Sequence, residues 1–189
     1  MFEAFLIWAP KRSASARRLL DPRAVFSGVW IQQVVHIYGD EGAPMKPNRF
    51  AVFSIAYRKS DDSYAVKGNA YDGNADEHAR WWSVDVVHFA KDGRAMTYLW
   101  EGTITNKSLR EGDPERTGFA RLDLASDDGG SGRVEHVSLK VNLEFNMIRV
   151  TRAWLAKQKL DAFEPDKLRD PTTRDQFATA YAKTLPAAT

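Results

Sequence analysis

Between Val25 and Arg152 the chain is a succession of short runs rich in Val, Ile, Phe, Tyr and Trp, each ended by turn residues. The runs lie at about 28–38, 49–59, 63–72, 80–90, 95–105, 117–125, 133–141 and 143–153. No helical pattern separates them. A parallel sheet needs crossover helices between its strands, so these strands must pair antiparallel. About eight such strands suit a closed barrel, filled by side chains or holding one small ligand; a two-sheet sandwich is the competing architecture. Lys91-Asp92-Gly93-Arg94 reads as a tight hairpin with positive φ at both central residues. Residues 59–63 read as a polar turn, 111–115 as a longer loop and 127–132 as a flexible one.

Two flanks differ from this core. Residues 1–25 form a basic N-terminal appendage with Lys11, Arg12, Arg17, Arg18 and Arg23, read as a solvated connector ahead of a lipid- or partner-binding arm. Residues 26–153 are the barrel domain, and residues 154–189 a helical tail with a frayed end. In the tail Ala156, Leu160 and Phe163 share a helical face, and Phe177, Tyr181 and Leu185 share another after a Thr173-x-x-Gln176 capping box. Pro165 and Pro171 separate the two helices.

Composition removes several classes of function. The 189 residues include no cysteine, which excludes disulfides, thiolate-bound zinc, iron–sulfur clusters and a thiol nucleophile. A net charge of +2 is too small a bias to point to a nucleic acid polymer. No run approaches the ~20 apolar residues that cross a bilayer. The patch at 2–8 carries Glu3 and no basic leader, unlike a signal peptide. A cytoplasmic setting, with no membrane span, is the expectation.

Alternation places Trp30, Gln32, Val34, His36 and Tyr38 on one face of the first strand and Val29, Ile31, Gln33, Val35 and Ile37 on the other. The second face is the more apolar, although Trp30 is the natural plug for a barrel. Trp81, Trp82, Phe89, Tyr98 and Trp100 are the densest aromatics, with Trp82 in phase with Val84, Val86 and His88. They read as core, or as a stacking platform for a flat ring. Arg58, Arg121, Arg149 and Arg152 are read at the ends of barrel strands, where a guanidinium can clamp phosphate or carboxylate. Arg149 or Arg152 is expected to close the barrel base on Trp30 by a cation–π contact.

The candidate ligand-binding set is therefore Arg58, Trp82, Tyr98, Trp100, Arg121 and Arg152. His36, His78, His88 and His136 show no metal-ligand spacing, and no metal or other cofactor is expected. Asp85 and Glu101 would serve as general acid or base only if buried. No nucleophile elbow is present, and Gly129-Gly130-Ser131-Gly132 leads into a strand, where it cannot cradle a phosphate. No catalytic residue is assigned.

The Gly28-x-Trp30 opening, the short strands and the late-strand arginine resemble the lipocalin and wider calycin barrels over about residues 26–153. Within that set the chain looks most similar to the cyclic-nucleotide-sensing barrel of the CBASS antiphage effectors. That likeness rests on Tyr71, Trp82-Ser83, Tyr98-Leu99-Trp100, Thr117-Gly118-Phe119-Ala120-Arg121-Leu122 and Arg149-Val150-Thr151-Arg152. It implies a calycin-like barrel holding a cyclic dinucleotide between rings and arginines. The two transmembrane helices that precede the barrel in those effectors have no counterpart here, so a soluble sensor, or a relative with a different partner, is the expectation. The rival readings are an interaction scaffold or homo-oligomer with a filled barrel, and a barrel enzyme acting on a small aromatic or anionic substrate.

Overall fold

The computed structural model describes residues 13–39, 48–105, 115–137 and 141–185. The apolar patch at 2–8, Lys11 and Arg12, the loop at 111–114 and the end at 186–189 lie outside the described residues, as do the side chains of Arg18 and Asp85. Eight strands run in order: β1 (Gly28–Tyr38), β2 (Arg49–Arg58), β3 (Ser63–Asp72), β4 (Glu77–Phe89), β5 (Ala95–Ile104), β6 (Glu115–Ser126), β7 (Gly129–His136) and β8 (Asn142–Arg149). Each pairs antiparallel with its chain neighbour, and β8 returns to β1, closing the barrel. Closure leaves no sheet edge to protect, and it excludes the sandwich. Helix α1 (Ala14–Leu20) and a 3-10 turn (Pro22–Phe26) precede the barrel. Helix α2 (Arg152–Lys157), a second 3-10 turn (Pro165–Arg169) and α3 (Pro171–Ala182) follow it. Among the described residues no helix is long and apolar enough to cross a membrane.

The conflict between the two faces of β1 has a simple cause: both are buried, by different partners. Trp30 points into the barrel with Phe53, Ile55, Tyr64, Val66, Met96, Leu122, Phe145 and Met147. Val29 and Ile31 point outward with Phe50, Val52 and Tyr71, and are covered by Leu155, Leu160, Leu168, Phe177, Ala178 and Tyr181 of the tail. Each of the larger of these side chains contributes roughly 1.5–3 kcal/mol when fully removed from water. Polar anchors fix the tail's position. Gln33 Nε2 donates to Tyr181 Oη at 2.6 Å, Tyr71 Oη to Asp175 at 2.7 Å, and Arg174 Nη1 to Asn69 Oδ1 at 2.6 Å.

Several local expectations are corrected. Among residues 91–94 only Gly93 has a positive φ, at 70°, so the β4–β5 connection is a wider loop closed by Gly93 N donating to Ala90 O at 2.9 Å. The glycine is required there because a Cβ would meet Pro22 at 2.8 Å. The β6–β7 turn is only Asp127 and Asp128; Gly129 already pairs with Ile148, so most of the expected flexible loop is strand. Helix α3 is capped by Asp170, whose carboxylate accepts from Thr173 N at 2.9 Å, with Pro171 in the first turn. Proline suits that turn because its missing N–H would have no helical partner, so the cap falls before Thr173.

The N-terminal segment closes one end of the barrel. Asp21 accepts from Arg23 Nε at 2.8 Å and from Tyr64 Oη at 3.0 Å. Burial alone would raise the Asp21 carboxyl, but the Arg23 and Tyr64 hydrogen bonds outweigh it and hold its pKa below the usual value. The Arg17 guanidinium lies 3.7 Å from the centroid of the Tyr57 ring. These two arginines are thus packed on the barrel, where the sequence suggested a solvated connector.

Candidate functional site

The barrel is solid at one end and hollow at the other. Phe26, Trp30, Tyr64, Met96, Leu122 and Met147 fill the half beneath the N-terminal segment. The opposite half encloses a cavity of about 320 Å³, lined by residues that include Val34, Arg49, His78, Ile104, Arg116 and His136. A filled barrel, as the scaffold reading required, is therefore not what the described residues build. The volume lies near the lower end of the range, ≈ 300–1,000 Å³, that small-molecule pockets occupy.

Rings and glycines shape this space together. Trp81, Tyr98 and Trp100 line it. Gly68 and Gly102 sit against Trp81, where a Cβ would come within 2.6 Å and 3.0 Å of its side chain. Gly118 does the same for Trp100: a Cβ would lie 2.7 Å from the indole and 2.2 Å from the backbone oxygen of Glu135. The second contact is with backbone and cannot be relieved by a rotamer. Gly118→Ala is therefore expected to cost about 1–3 kcal/mol and to shift tryptophan emission as Trp100 is displaced. Urea melts with the folded-state emission spectrum test this; an unchanged spectrum and midpoint would refute the packing role.

Strand irregularities set which polar groups reach the cavity. A register shift between Val34 and His36 reverses the facing of β1, so Ile37 lines the cavity while His36 pairs outside with Glu144 at 3.7 Å. A second shift, opposite Ala70 and Tyr71, falls at His78 and brings it into the lining. Such bulges re-aim single side chains. Arg49 enters in phase with Ala51 and Phe53, and Arg116 in phase with Gly118 and Ala120.

The electrostatics of the lining are one-sided. Arg49, Arg80 and Arg116 contribute to it, and no Asp or Glu does among the described residues. Arg80 is held at the rim by Glu77 at 2.7 Å, and Arg116 Nη1 donates to the Glu115 carbonyl at 2.9 Å. Arg49 is half-buried and makes no ion pair or hydrogen bond among the described residues. Burial, helped by Arg49, pushes the His78 imidazole down to about 4; burial, helped by Arg116, does the same to His136. Both rings are neutral at neutral pH. His78 Nδ1, His136 Nδ1 and Trp100 Nε1 are buried without a hydrogen-bond partner among the described residues. Each such group costs roughly 1–3 kcal/mol if left unmade, so three around one cavity point to an occupant that satisfies them.

The sequence-derived set divides. Tyr98 and Trp100 line the cavity. Trp82 lies on the outer wall, 41% exposed, because its neighbour Trp81 takes the inward phase. Arg121 is out of phase with Ala120 and Leu122 and pairs outside with Asp123 at 2.9 Å. Arg58 pairs with Asp61 at 2.6 Å in the β2–β3 turn, and Arg152 lies 3.9 Å from Glu164 at the start of α2; both are at the solid end. Glu101 faces outward opposite Trp82 and Thr117. Arg49, Arg116, His78, His136 and Trp81 are the lining residues that the set lacked. Among the described residues no group of His, Cys, Asp and Glu is placed to hold a metal ion.

A larger recess, about 680 Å³, flanks the solid end. Its arginines are already paired, Arg94 with Asp127 at 3.7 Å, Arg149 with Asp128 at 3.6 Å and Arg169 with Asp166 at 3.8 Å. The hollow end, apolar with a few convergent polar atoms, is the candidate site.

Fold and site together define a closed, eight-stranded antiparallel barrel with an internal cavity. The sequence matches no family model and no curated protein. Among solved structures the chain is similar to one described as "Biogenic amine-binding protein selenomethionine derivative", at 18% identity and a TM-score of 0.47, covering 80% of this chain and 87% of that one.

Proposed function

We propose that this protein binds a small ring-bearing anion in the hollow half of its barrel, with no reaction assigned to it. The observation that carries this reading is Arg49, an inward guanidinium that makes no ion pair or hydrogen bond among the described residues, in a lining that holds no carboxylate among them. The rings of Trp81, Tyr98 and Trp100 supply apolar contact for a flat body, and Trp100 Nε1 and the two imidazoles supply hydrogen bonds. A cyclic nucleotide second messenger, as in antiphage signalling, is the specific form suggested by the sequence resemblance. It would bring a stackable base and a phosphate to these groups.

Titration of the purified protein with naphthalene-2-sulfonate and with cyclic nucleotides, followed by tryptophan fluorescence, tests the reading. Binding is expected to weaken about tenfold or more in Arg49→Ala, since a charge-assisted hydrogen bond contributes roughly 1.5–3 kcal/mol. Preference for an aromatic amine over the matched acid would overturn it.

A further inference from the structure

Two of the cavity's three arginines, Arg49 and Arg116, stand on opposite walls, while Arg80 lies at the rim. In an eight-stranded ring, β2 and β6 are four strands apart, so Arg49 and Arg116 face each other across the barrel. Each has a partly buried imidazole as its electrostatic neighbour: His78 beside Arg49, and His136 beside Arg116. Trp100 adds an N–H to the second group, its ring meeting His136 edge-on at 4.9 Å. Between the two walls the lining is ring and hydrocarbon: Trp81, Tyr98, Val34, Ile37, Val134 and Leu143.

Building on the anion-binding reading, we infer that the occupant is a compact two-ended molecule. It would carry one flat ring system set across the barrel, with an acidic or other strong acceptor group at each end. One end meets Arg49 and His78, and the other meets Arg116, His136 and Trp100. A guanidinium together with a neighbouring N–H donor can hold both oxygens of a carboxylate, so each wall is suited to one such group. The apolar middle favours a ring over a flexible diacid, whose chain would lose rotamer freedom on binding. At about 320 Å³ the space suits one ring system. A cyclic dinucleotide, with two bases and two phosphates, would have to leave much of itself outside.

Calorimetric titration with benzoate, terephthalate, naphthalene-2,6-dicarboxylate and cyclic diguanylate separates the possibilities. The ring diacids are expected to bind at least tenfold more tightly than benzoate. Arg49→Gln on one wall and Trp100→Phe on the other should each reduce that ratio several-fold while circular dichroism stays that of the folded barrel. Equal affinity for monoacid and diacids would overturn the two-ended occupant. Tighter binding of cyclic diguanylate than of any ring diacid would also overturn it, while leaving anion binding in place. If no acid binds at all, both readings fail together.

Discussion

Arg149→Ala is expected to lower folding stability by about 3–5 kcal/mol, since it removes several hydrogen bonds from a charged donor, each contributing roughly 1.5–3 kcal/mol and not fully additive, together with a cation–π contact. The guanidinium lies 4.5 Å from the centroid of the Trp30 ring, with the side chain only 17% exposed. Its Nη1 donates to Ser27 O at 2.8 Å, its Nε to Asp127 O at 2.7 Å and its Nη2 to Val25 O. Trp30 Nε1 in turn donates to Phe26 O at 2.8 Å. One side chain therefore ties the entry to β1, the β6–β7 turn and the ring that fills the solid end. Gly28 belongs to the same unit: its φ of +147° favours glycine, and a Cβ would sit 3.2 Å from Arg149 Nη1. A lysine has no planar fork to reach three carbonyls at once, so Arg149→Lys should recover only part of the loss. Urea unfolding of the three proteins measures this. A loss below about 1 kcal/mol in the alanine variant would put Arg149 among ordinary surface ion pairs.

The architecture was legible in the sequence because strand periodicity and turn residues are local signals. Eight runs became eight strands, and the cation–π closure on Trp30 fell to Arg149, one of the two arginines considered. The site was only half legible, because it depends on phase. Trp81 and Trp82 are adjacent, and sequence alone does not say which one faces inward; Gly68 and Gly102, on the neighbouring strands, decide it by leaving room for Trp81. Arg121 is a strand-borne arginine, yet it alternates with Ala120, Leu122 and Leu124 and so faces outward. A usable signal was present on the same strand. Arg116 is in phase with Gly118, Ala120, Leu122 and Leu124, and a cation on the small and apolar face of a strand must point into the barrel. Arg49 stands in the same relation to Ala51, Phe53 and Ile55. His78 had no such signal, because the bulge that turns it inward is set by pairing with β3.

The paired imidazoles give the second large expected effect, an acid sensitivity set by the cavity. Each has a folded pKa near 4 against an ordinary 6.5 in the unfolded chain. Between those values the unfolded chain takes up protons that the folded one refuses, so stability falls as the pH drops from about 6.5 towards 4 and is fully present above that window. At 1.36 kcal/mol per unit the loss amounts to about 3 kcal/mol per imidazole at most, with solvent screening reducing it, since neither ring is wholly buried. His78 also faces Asp72 and Glu77, which partly offset the pull of Arg49, whereas His136 faces Arg116 alone among the charges that shift it. His136 is therefore expected to account for at least half of the effect. Urea midpoints from pH 7 to 4.5, compared between the natural protein and His78→Asn, His136→Asn and the double variant, isolate this from the titration of carboxylates elsewhere. The double variant should show a distinctly flatter profile, and a bound ring diacid should flatten the natural one, because an anion between the walls draws both imidazole pKa values upward. Identical slopes in all four proteins would mean that the imidazoles titrate normally, and that the cavity is wetter and less shielded than its lining indicates.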